Sequence, residues 1–207
     1  MDARNTGTPA GLLPALTERR ARRAFDPRPV PDDVQERLWS AVSVAPSHGN
    51  VQSTRLLVAH SPDVRNAVIA ALSEGNKQWA PAAPLLAAVA ALPSHERARG
   101  YGDDRALWAL HAGIALGNLM AQATHDGLVA HPMANFDEPA LRVAFGAPPE
   151  VRILAIIAIG YPGDPSTLPQ DLQAREVAPQ KRQPLSSLVV VDRWQPHHAH
   201  EARGPRD

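Results

Sequence analysis

Hydrophobic residues follow two patterns along this chain. A period of three to four residues is typical of helices, and short continuous apolar runs are typical of buried strands. Apolar residues recur every three to four positions over residues 32–45, which predicts an amphipathic helix. Short apolar runs bounded by turn residues predict strands at 54–60 and 153–159. Residues 85–92 are predicted as another buried strand, although their many alanines leave a helix open.

Capping residues and helix stops predict further helices. Ser61 precedes a helix over residues 62–72, which has proline at its first position, and Asp137 precedes a short helix that Gly146 ends. A long helix is predicted over residues 103–125. Three stretches show neither pattern. Residues 93–102 are predicted as a polar loop, residues 128–136 as an irregular crossing segment and residues 163–180 as a loop-rich stretch.

Small residues recur every four positions inside the long predicted helix. The stripe consists of Ala109, Gly113, Gly117 and Ala121. Glycine destabilises a helix interior by up to about 1 kcal/mol, so two of them indicate that another backbone packs closely against the stripe. That backbone belongs either to another helix of the chain or to the same helix of a second subunit.

Length and composition narrow the class of protein. The chain has 207 residues with 44% apolar content, which favours one folded domain and argues against disorder over most of the length. We expect this domain over residues 11–194, after a loose arm at 1–10 and before a disordered tail at 195–207. No run reaches the roughly 18 apolar residues of a membrane span, and no secretory signal is visible, so a cytoplasmic protein is expected.

Charge and cysteine content exclude several kinds of site. Twenty-one basic and 21 acidic side chains balance, which argues against a general nucleic-acid or membrane surface, so any anion site must be local. Because cysteine is absent, disulfides, thiol nucleophiles and cysteine metal sites are excluded. We predict no metal site.

A basic run near the amino terminus is the first candidate for ligand binding. Four arginines fall within five positions: Arg19, Arg20, Arg22 and Arg23. The planar guanidinium offers paired donors that fit phosphate oxygens. A solvated basic turn is the alternative.

The loop over residues 45–52 is the second candidate. Pro46 ends the preceding helix, and Gly49 allows a backbone conformation that other residues adopt at a cost. The loop also contains a hydroxyl and two carboxamides: Ser47, Asn50 and Gln52. Carboxamides offer a donor and an acceptor together, which suits the edge of a heterocycle. The alternative is a turn whose polar side chains bond their own backbone.

Five stretches, in order along the chain, resemble the FMN-dependent nitroreductase family. They are residues 19–25, 45–52, 127–137, 157–162 and 181–185. The resemblance covers about residues 18–192 and implies an α+β fold with a mostly antiparallel sheet flanked by helices. It also implies an intertwined homodimer with FMN at the subunit interface.

The resemblance places cofactor contacts at matching positions. The arginines would hold the phosphate together with a later basic pair, the 45–52 loop would reach the flavin from the second subunit, and the backbone of 132–135 would lie near flavin N5. The implied cofactor-binding residues are Arg19, Arg20, Ala21, Arg23, Pro46, Ser47, His48, Asn50, Gln52, Asn76, Pro132, Met133, Ala134, Asn135, Lys181 and Arg182. No catalytic side chain is implied, because the cofactor carries the chemistry.

The sequence departs from the family pattern in three places. Ala21 stands where a serine is usual, Ser53 and Thr54 replace a Pro-Trp pair, and Asn135 replaces a glycine. These changes remove one phosphate contact and alter the pocket walls around the substrate, while the core cofactor contacts are kept.

The implied activity is that of an NAD(P)H-dependent FMN oxidoreductase. Such an enzyme reduces nitroaromatics, quinones or similar electron-poor acceptors by ping-pong hydride transfer through flavin N5. One alternative is a flavin-dependent dehydrogenase or dehalogenase, and another is a non-catalytic FMN-binding or structural dimer. Three histidines are conceivable proton donors, although packing or hydrogen bonding is the more common role: His48, His111 and His131.

Overall fold

A computed structural model describes residues 11–97, 100 and 105–194. Its helices are Pro14–Thr17 (α1), Asp32–Ser43 (α2), Pro62–Ala71 (α3), Glu74–Lys77 (α4), Pro93–Arg97 (α5), Leu107–His125 (α6), Glu138–Ala144 (α7), Gln170–Val177 (α8) and Leu185–Leu188 (α9). Its strands are Thr54–Val58 (β1), Leu85–Ala91 (β2), Val129–Met133 (β3) and Arg152–Gly160 (β4). The predicted arm, the predicted tail and the first residues of the predicted long helix lie outside the described residues.

The four strands form one antiparallel sheet in the order β1-β2-β4-β3. The α+β class and the antiparallel sheet are therefore confirmed. The central strand β2 is buried on both sides, because Ala88 packs in one hydrophobic cluster with α3 and α7 while Ala87 packs in another with α2 and α6. Its alanines let helices approach both faces closely, which settles the choice between strand and helix in favour of the strand.

Helix starts agree with the predicted caps. The Ser61 side chain accepts from the Val64 N–H at 3.4 Å, and the Asp137 side chain accepts from the Ala140 N–H at 3.0 Å. These contacts involve neighbours in sequence, which is why they could be predicted.

The crossing segment at 128–136 was predicted as irregular, and this is wrong for its first half. Residues Val129–Met133 form β3, which pairs with β4 from Ile156 to Gly160. Pro132 lacks an N–H and disfavours a central strand, but β3 lies at the edge of the sheet, where one missing donor is tolerated. Pairing with β4 therefore decides the conformation.

The loop predictions at 93–102 and 163–180 are also corrected, because these stretches contain α5 and α8. Each helix is short and buries only two residues, so neither produces a clear helical period. In α8 the buried pair is Leu172 and Glu176, four positions apart on one face. Such helices depend on tertiary packing rather than on intrinsic propensity.

Residues 12–177 form one compact unit, and the described residues 178–194 belong to another. The second unit contains α9 and exposes several apolar side chains. Among the described residues, we find no helix with the length and apolarity needed to cross a membrane.

Candidate functional site

The arginine-rich segment is held against the chain that follows β4. Phe25 forms an isolated antiparallel bridge with Pro162, and the Gly163 N–H donates to the Ala24 carbonyl at 2.9 Å. A side chain at Gly163 would collide with the backbone of Phe25, so this close approach requires glycine. The motifs at 19–25 and at 157–162 therefore lie next to each other in the fold.

A buried carboxylate anchors this segment from α8. Glu176, 7% exposed, accepts from the Arg23 N–H at 2.8 and 2.9 Å and from the Ala24 N–H at 3.1 Å. Its Oε2 also lies 3.7 Å from the Arg23 guanidinium. Burial and the nearby Arg175 charge lower the pKa of Arg23, while Glu176 opposes the shift. Glu176 was missed by sequence reasoning because α8 itself was not predicted.

Arg23 opens onto a cavity of about 210 Å³. The described residues that line it are Arg23, Gly75, Asn76, Gln78, Trp79, Asp171, Leu172 and Arg175. Two guanidinium groups and two carboxamides face one carboxylate there, and such donors suit an oxyanion. The structure thus brings together two predicted site residues, Arg23 and Asn76, that lie far apart in sequence.

His131 on β3 connects the crossing segment to the arginines. Its Nδ1 lies 2.8 Å from the Arg22 carbonyl oxygen, which can only accept, so Nδ1 carries the proton. The ring lies against Trp79 with centroids 4.4 Å apart. Burial lowers the pKa of His131, although the bond to the Arg22 carbonyl opposes this. Nearby, the Asn135 carbonyl accepts from the Ser73 N–H at 3.3 Å.

We call this part of the molecule the arginine region; it comprises residues 19–25, 73–79, 131–135 and 170–177. Pro132 and Met133 belong to β3, and Ala134 and Asn135 follow it directly. Arg20 is not among the described residues that line the cavity, and its guanidinium donates to the carbonyls of Thr17 at 2.8 Å and Arg19 at 3.0 Å.

The 45–52 loop forms a tight turn with unusual backbone angles. Gly49, Asn50 and Gln52 have φ of 56°, 54° and 49°, a region that side-chain-bearing residues adopt at a cost. Ser47 stabilises the turn, since its Oγ accepts from the Gln52 N–H at 3.0 Å. The hydroxyl therefore serves the loop's own backbone, while the carboxamide residues Asn50 and Gln52 are exposed.

A buried polar cluster lies directly behind the loop. The His48 N–H donates to Nε2 of His111 at 2.9 Å, and Nδ1 of His111 lies 3.0 Å from Oε1 of Glu96. The Ser53 hydroxyl donates to the same carboxylate oxygen at 3.4 Å. His111, Glu96 and Ser53 are 4%, 3% and 0% exposed. We call the loop and this cluster the loop region.

The two regions lie at diagonally opposite corners of the sheet. The loop leads into β1 and the arginine region contains β3, and these edge strands are three inter-strand steps apart, roughly 14 Å at the usual spacing. The loop enters at Thr54, which is level with Arg152 at the start of β4, whereas β3 pairs with the end of β4. The loop borders its own cavity of about 260 Å³, whose lining shares no described residue with the arginine cavity.

Lys181 and Arg182 belong to the separate unit and are exposed. The Arg182 guanidinium donates to the Lys181 carbonyl at 2.9 Å. Their part in a phosphate site therefore stays a prediction.

Comparisons with known proteins agree on one family. The family model described as "Nitroreductase family" matches residues 16–78 and 71–161. An NADH dehydrogenase of Thermus thermophilus is 28% identical over 202 residues, covering 85% of this chain and 93% of its own. A crystal structure described as an oxidoreductase containing FMN is 32% identical with a TM-score of 0.81, over 94% of this chain and 98% of that one. The NADPH:FMN oxidoreductase from Vibrio harveyi, solved with NAD+, shares the fold at 17% identity and a TM-score of 0.71, over 87% and 76% of the two chains.

Proposed function

Because this chain belongs to the nitroreductase family, we propose that it is an FMN-dependent oxidoreductase that uses NADH or NADPH as reductant. The observation that carries the proposal is the cavity of the arginine region, where Arg23 of the basic motif meets Asn76 and Arg175. The similar proteins named for FMN and for NADH dehydrogenase activity support the same assignment.

The donor set of this cavity fits a flavin phosphate. Burial and, to a lesser extent, repulsion by the nearby Arg175 charge lower the pKa of Arg23, and a bound dianion would relieve this repulsion. Asn76 adds a carboxamide that can donate or accept. Glu176 holds the Arg23 backbone, so the guanidinium is positioned before any ligand arrives.

The cavity is too small to hold the whole cofactor. It measures about 210 Å³, below the roughly 300–1,000 Å³ of pockets that enclose drug-sized ligands. One protomer therefore supplies only part of a flavin site. The exposed carboxamides of Asn50 and Gln52 lie at the opposite corner of the sheet, where they could reach a cofactor held by another copy of the chain.

We therefore include a homodimer in the proposal, with two flavin sites at its interface. Gly113 and Gly117 on α6 are exposed, and a side chain built at either one would meet no described atom within 4 Å. The backbone that packs against this stripe of small residues therefore does not belong to a described helix of the same chain. Leu110, on the same face of α6, is also exposed. An apolar face with glycines open to solvent fits a second α6 packed closely against it.

Further exposed apolar surface supports this interface. An open groove of about 730 Å³ runs between α1, α2 and α6 beside Ala121. Leu13, Leu16 and Val44, in or next to these helices, are more than half exposed. Apolar side chains exposed together in this way are typical of surfaces that contact a partner.

The chemistry that FMN supplies when bound is hydride transfer at N5, from the nicotinamide C4 of NAD(P)H and then to an acceptor in a separate half-reaction. The protein's part is to bind and orient. Neutral His131 has its Nδ1 proton committed to the Arg22 carbonyl, so that proton is not free for transfer. We propose electron-poor acceptors such as nitroaromatics or quinones, because they take up a hydride readily and the proton that balances the reduction can come from water.

An absorbance spectrum followed by stopped-flow reduction tests the proposal. The purified protein should be yellow, NADH or NADPH should bleach the flavin, and a quinone added afterwards should restore the colour. Steady-state reciprocal plots should be parallel. Asn50→Ala should slow bleaching more than His131→Ala, because a misplacement of 1 Å costs on the order of a hundredfold in rate. A bound flavin that neither nucleotide bleaches contradicts the reductase assignment, and bleaching by an organic substrate alone would indicate a dehydrogenase.

A further inference from the structure

We infer that His111, held by Glu96, is a positioning residue that sets the conformation of the 45–52 loop and thereby the affinity of the loop for the flavin. The expected effect on flavin binding rests on the proposed function, whereas the effect on the loop conformation rests on the geometry alone. The loop is joined to the cluster by a backbone hydrogen bond from the His48 N–H to Nε2 of His111 at 2.9 Å.

The hydrogen bonds define the state of the imidazole. A backbone N–H can only donate, so Nε2 of His111 must carry a lone pair and no proton. The proton of the neutral ring is then on Nδ1, where it donates to Oε1 of Glu96 at 3.0 Å. Because Glu96 is 3% exposed and also accepts from Ser53, the carboxylate fixes both the tautomer and the ring orientation. The imidazole thus presents an acceptor to the loop.

The loop needs such an anchor because its backbone is strained. Asn50 and Gln52 have φ of 54° and 49° without the freedom of glycine. Strained angles persist only where surrounding contacts enforce them. Ser47 supplies one such contact through the Gln52 N–H, and the Arg55 guanidinium supplies another by donating to the Gln52 carbonyl at 2.8 Å. His111 holds the other end of the turn through the His48 N–H, so these bonds enclose Gly49 and Asn50, the middle of the turn.

Alternative explanations of the cluster are weaker. Ser53, Glu96 and His111 resemble the residue types of a nucleophilic triad, but all three are buried, and the Ser53 Oγ lies 3.5 Å from Nδ1 rather than from an activated Nε2. Nε2 is already occupied by the loop. The arrangement therefore holds a backbone, and both ring nitrogens of His111 already have hydrogen-bond partners.

Two substitutions at His111 separate the anchor from general packing. His111→Gln keeps an acceptor near the Nε2 position, whereas His111→Asn keeps only a group near Nδ1. We expect His111→Asn to weaken FMN binding about tenfold, as loss of one hydrogen bond of ordinary strength predicts, and His111→Gln to stay close to wild type. An equal loss of FMN affinity in the two variants would indicate a purely structural role for His111 and would contradict the inference.

A second readout needs no flavin. In the apo protein, exchange of the His48 amide proton should accelerate in His111→Asn and remain slow in His111→Gln. Nitrogen NMR of the wild-type protein should report His111 with its proton on Nδ1, which tests the anchor even if a variant fails to fold. An Nε2–H tautomer, or unchanged FMN affinity and His48 exchange in His111→Asn, overturns the inference. Wild-type protein that binds no FMN would instead contradict the proposed function, while the exchange and NMR results would still decide on the anchor.

Discussion

The arginine region and the loop region are organised by opposite kinds of polar contact. In the arginine region, a buried carboxylate of Glu176 holds a cationic segment, and Arg23 and Arg175 together face a cavity. In the loop region, Glu96 fixes an imidazole whose other nitrogen accepts from the backbone of a strained turn. We propose that the first region binds an anion and that the second presents carboxamides in a fixed geometry.

This difference fits the proposal that each region supplies only part of a flavin site. We propose that the arginine cavity holds the phosphate and that the carboxamides of the loop hold the edge of the ring. The two regions lie at opposite corners of one sheet, so pairing two copies of the chain offers a way to combine them. The following predictions test that combination, beginning with the largest expected effect.

Gly117→Leu should prevent two copies of the chain from pairing through α6. If a second α6 packs on the exposed glycine stripe, leucine costs about 1–3 kcal/mol by overpacking at each site, and symmetry applies the penalty twice. We expect monomers by light scattering and loss of bound FMN. The matched control is Ala70→Leu on the exposed face of α3, which should remain dimeric. A monomeric wild-type protein with flavin bound would contradict the dimer.

Arg23→Ala should remove the phosphate contact and leave the loop region intact. Charge-assisted bonds to phosphate contribute roughly 1.5–3 kcal/mol, so titration of apo protein with FMN should show affinity lowered tenfold or more. Arg142→Ala, at an arginine paired with Glu138 on α7, should leave the affinity unchanged. Equal effects of the two substitutions would mean that net charge, rather than the cavity, attracts the cofactor.

Glu176→Gln should lower stability more than it lowers affinity. The amide offers one acceptor oxygen where the carboxylate now serves the Arg23 and Ala24 N–H groups, and a buried donor left without a partner costs about 1–3 kcal/mol. Urea unfolding should report that loss. Asp171→Asn on the same helix serves as the control, because this exposed carboxylate lines the cavity without a buried partner. We expect it to leave unfolding unchanged and to strengthen FMN binding slightly.

His131 should give the arginine region a small dependence on pH. Burial lowers the pKa of His131 in the folded chain below its ordinary value of 6.5, so between the two values the unfolded chain binds the extra proton. The free energy of unfolding then has its full value above about pH 6.5 and decreases as the pH falls toward the pKa of His131 in the folded chain. His131→Asn keeps a donor near the position of Nδ1 and should flatten this slope in thermal melts at pH 7 and below. A slope equal to that of wild type would show that other groups titrate in this window.

Local patterns made part of this structure predictable. The caps at Ser61 and Asp137, the helix of α2 and the central strands depend on residues close in sequence, and the predictions for them are confirmed. Arg23 was named from a short basic motif and Asn76 from the family resemblance, and the structure places both in one cavity. Their roles in binding stay predictions that the substitutions above test.

The sequence by itself predicted the two central strands and the residue types of both regions, because periodicity, caps and short motifs act over a few positions. Its resemblance to a known family predicted the fold class. Only the tertiary structure decided that Pro132 lies in an edge strand, that Glu176 anchors Arg23 from 153 positions away, and that His111 reaches the loop from 63 positions away. Contacts at such separations leave no periodic signal. A buried polar residue finds its partner through packing of the whole core, and that packing belongs to the folded chain rather than to any stretch of it.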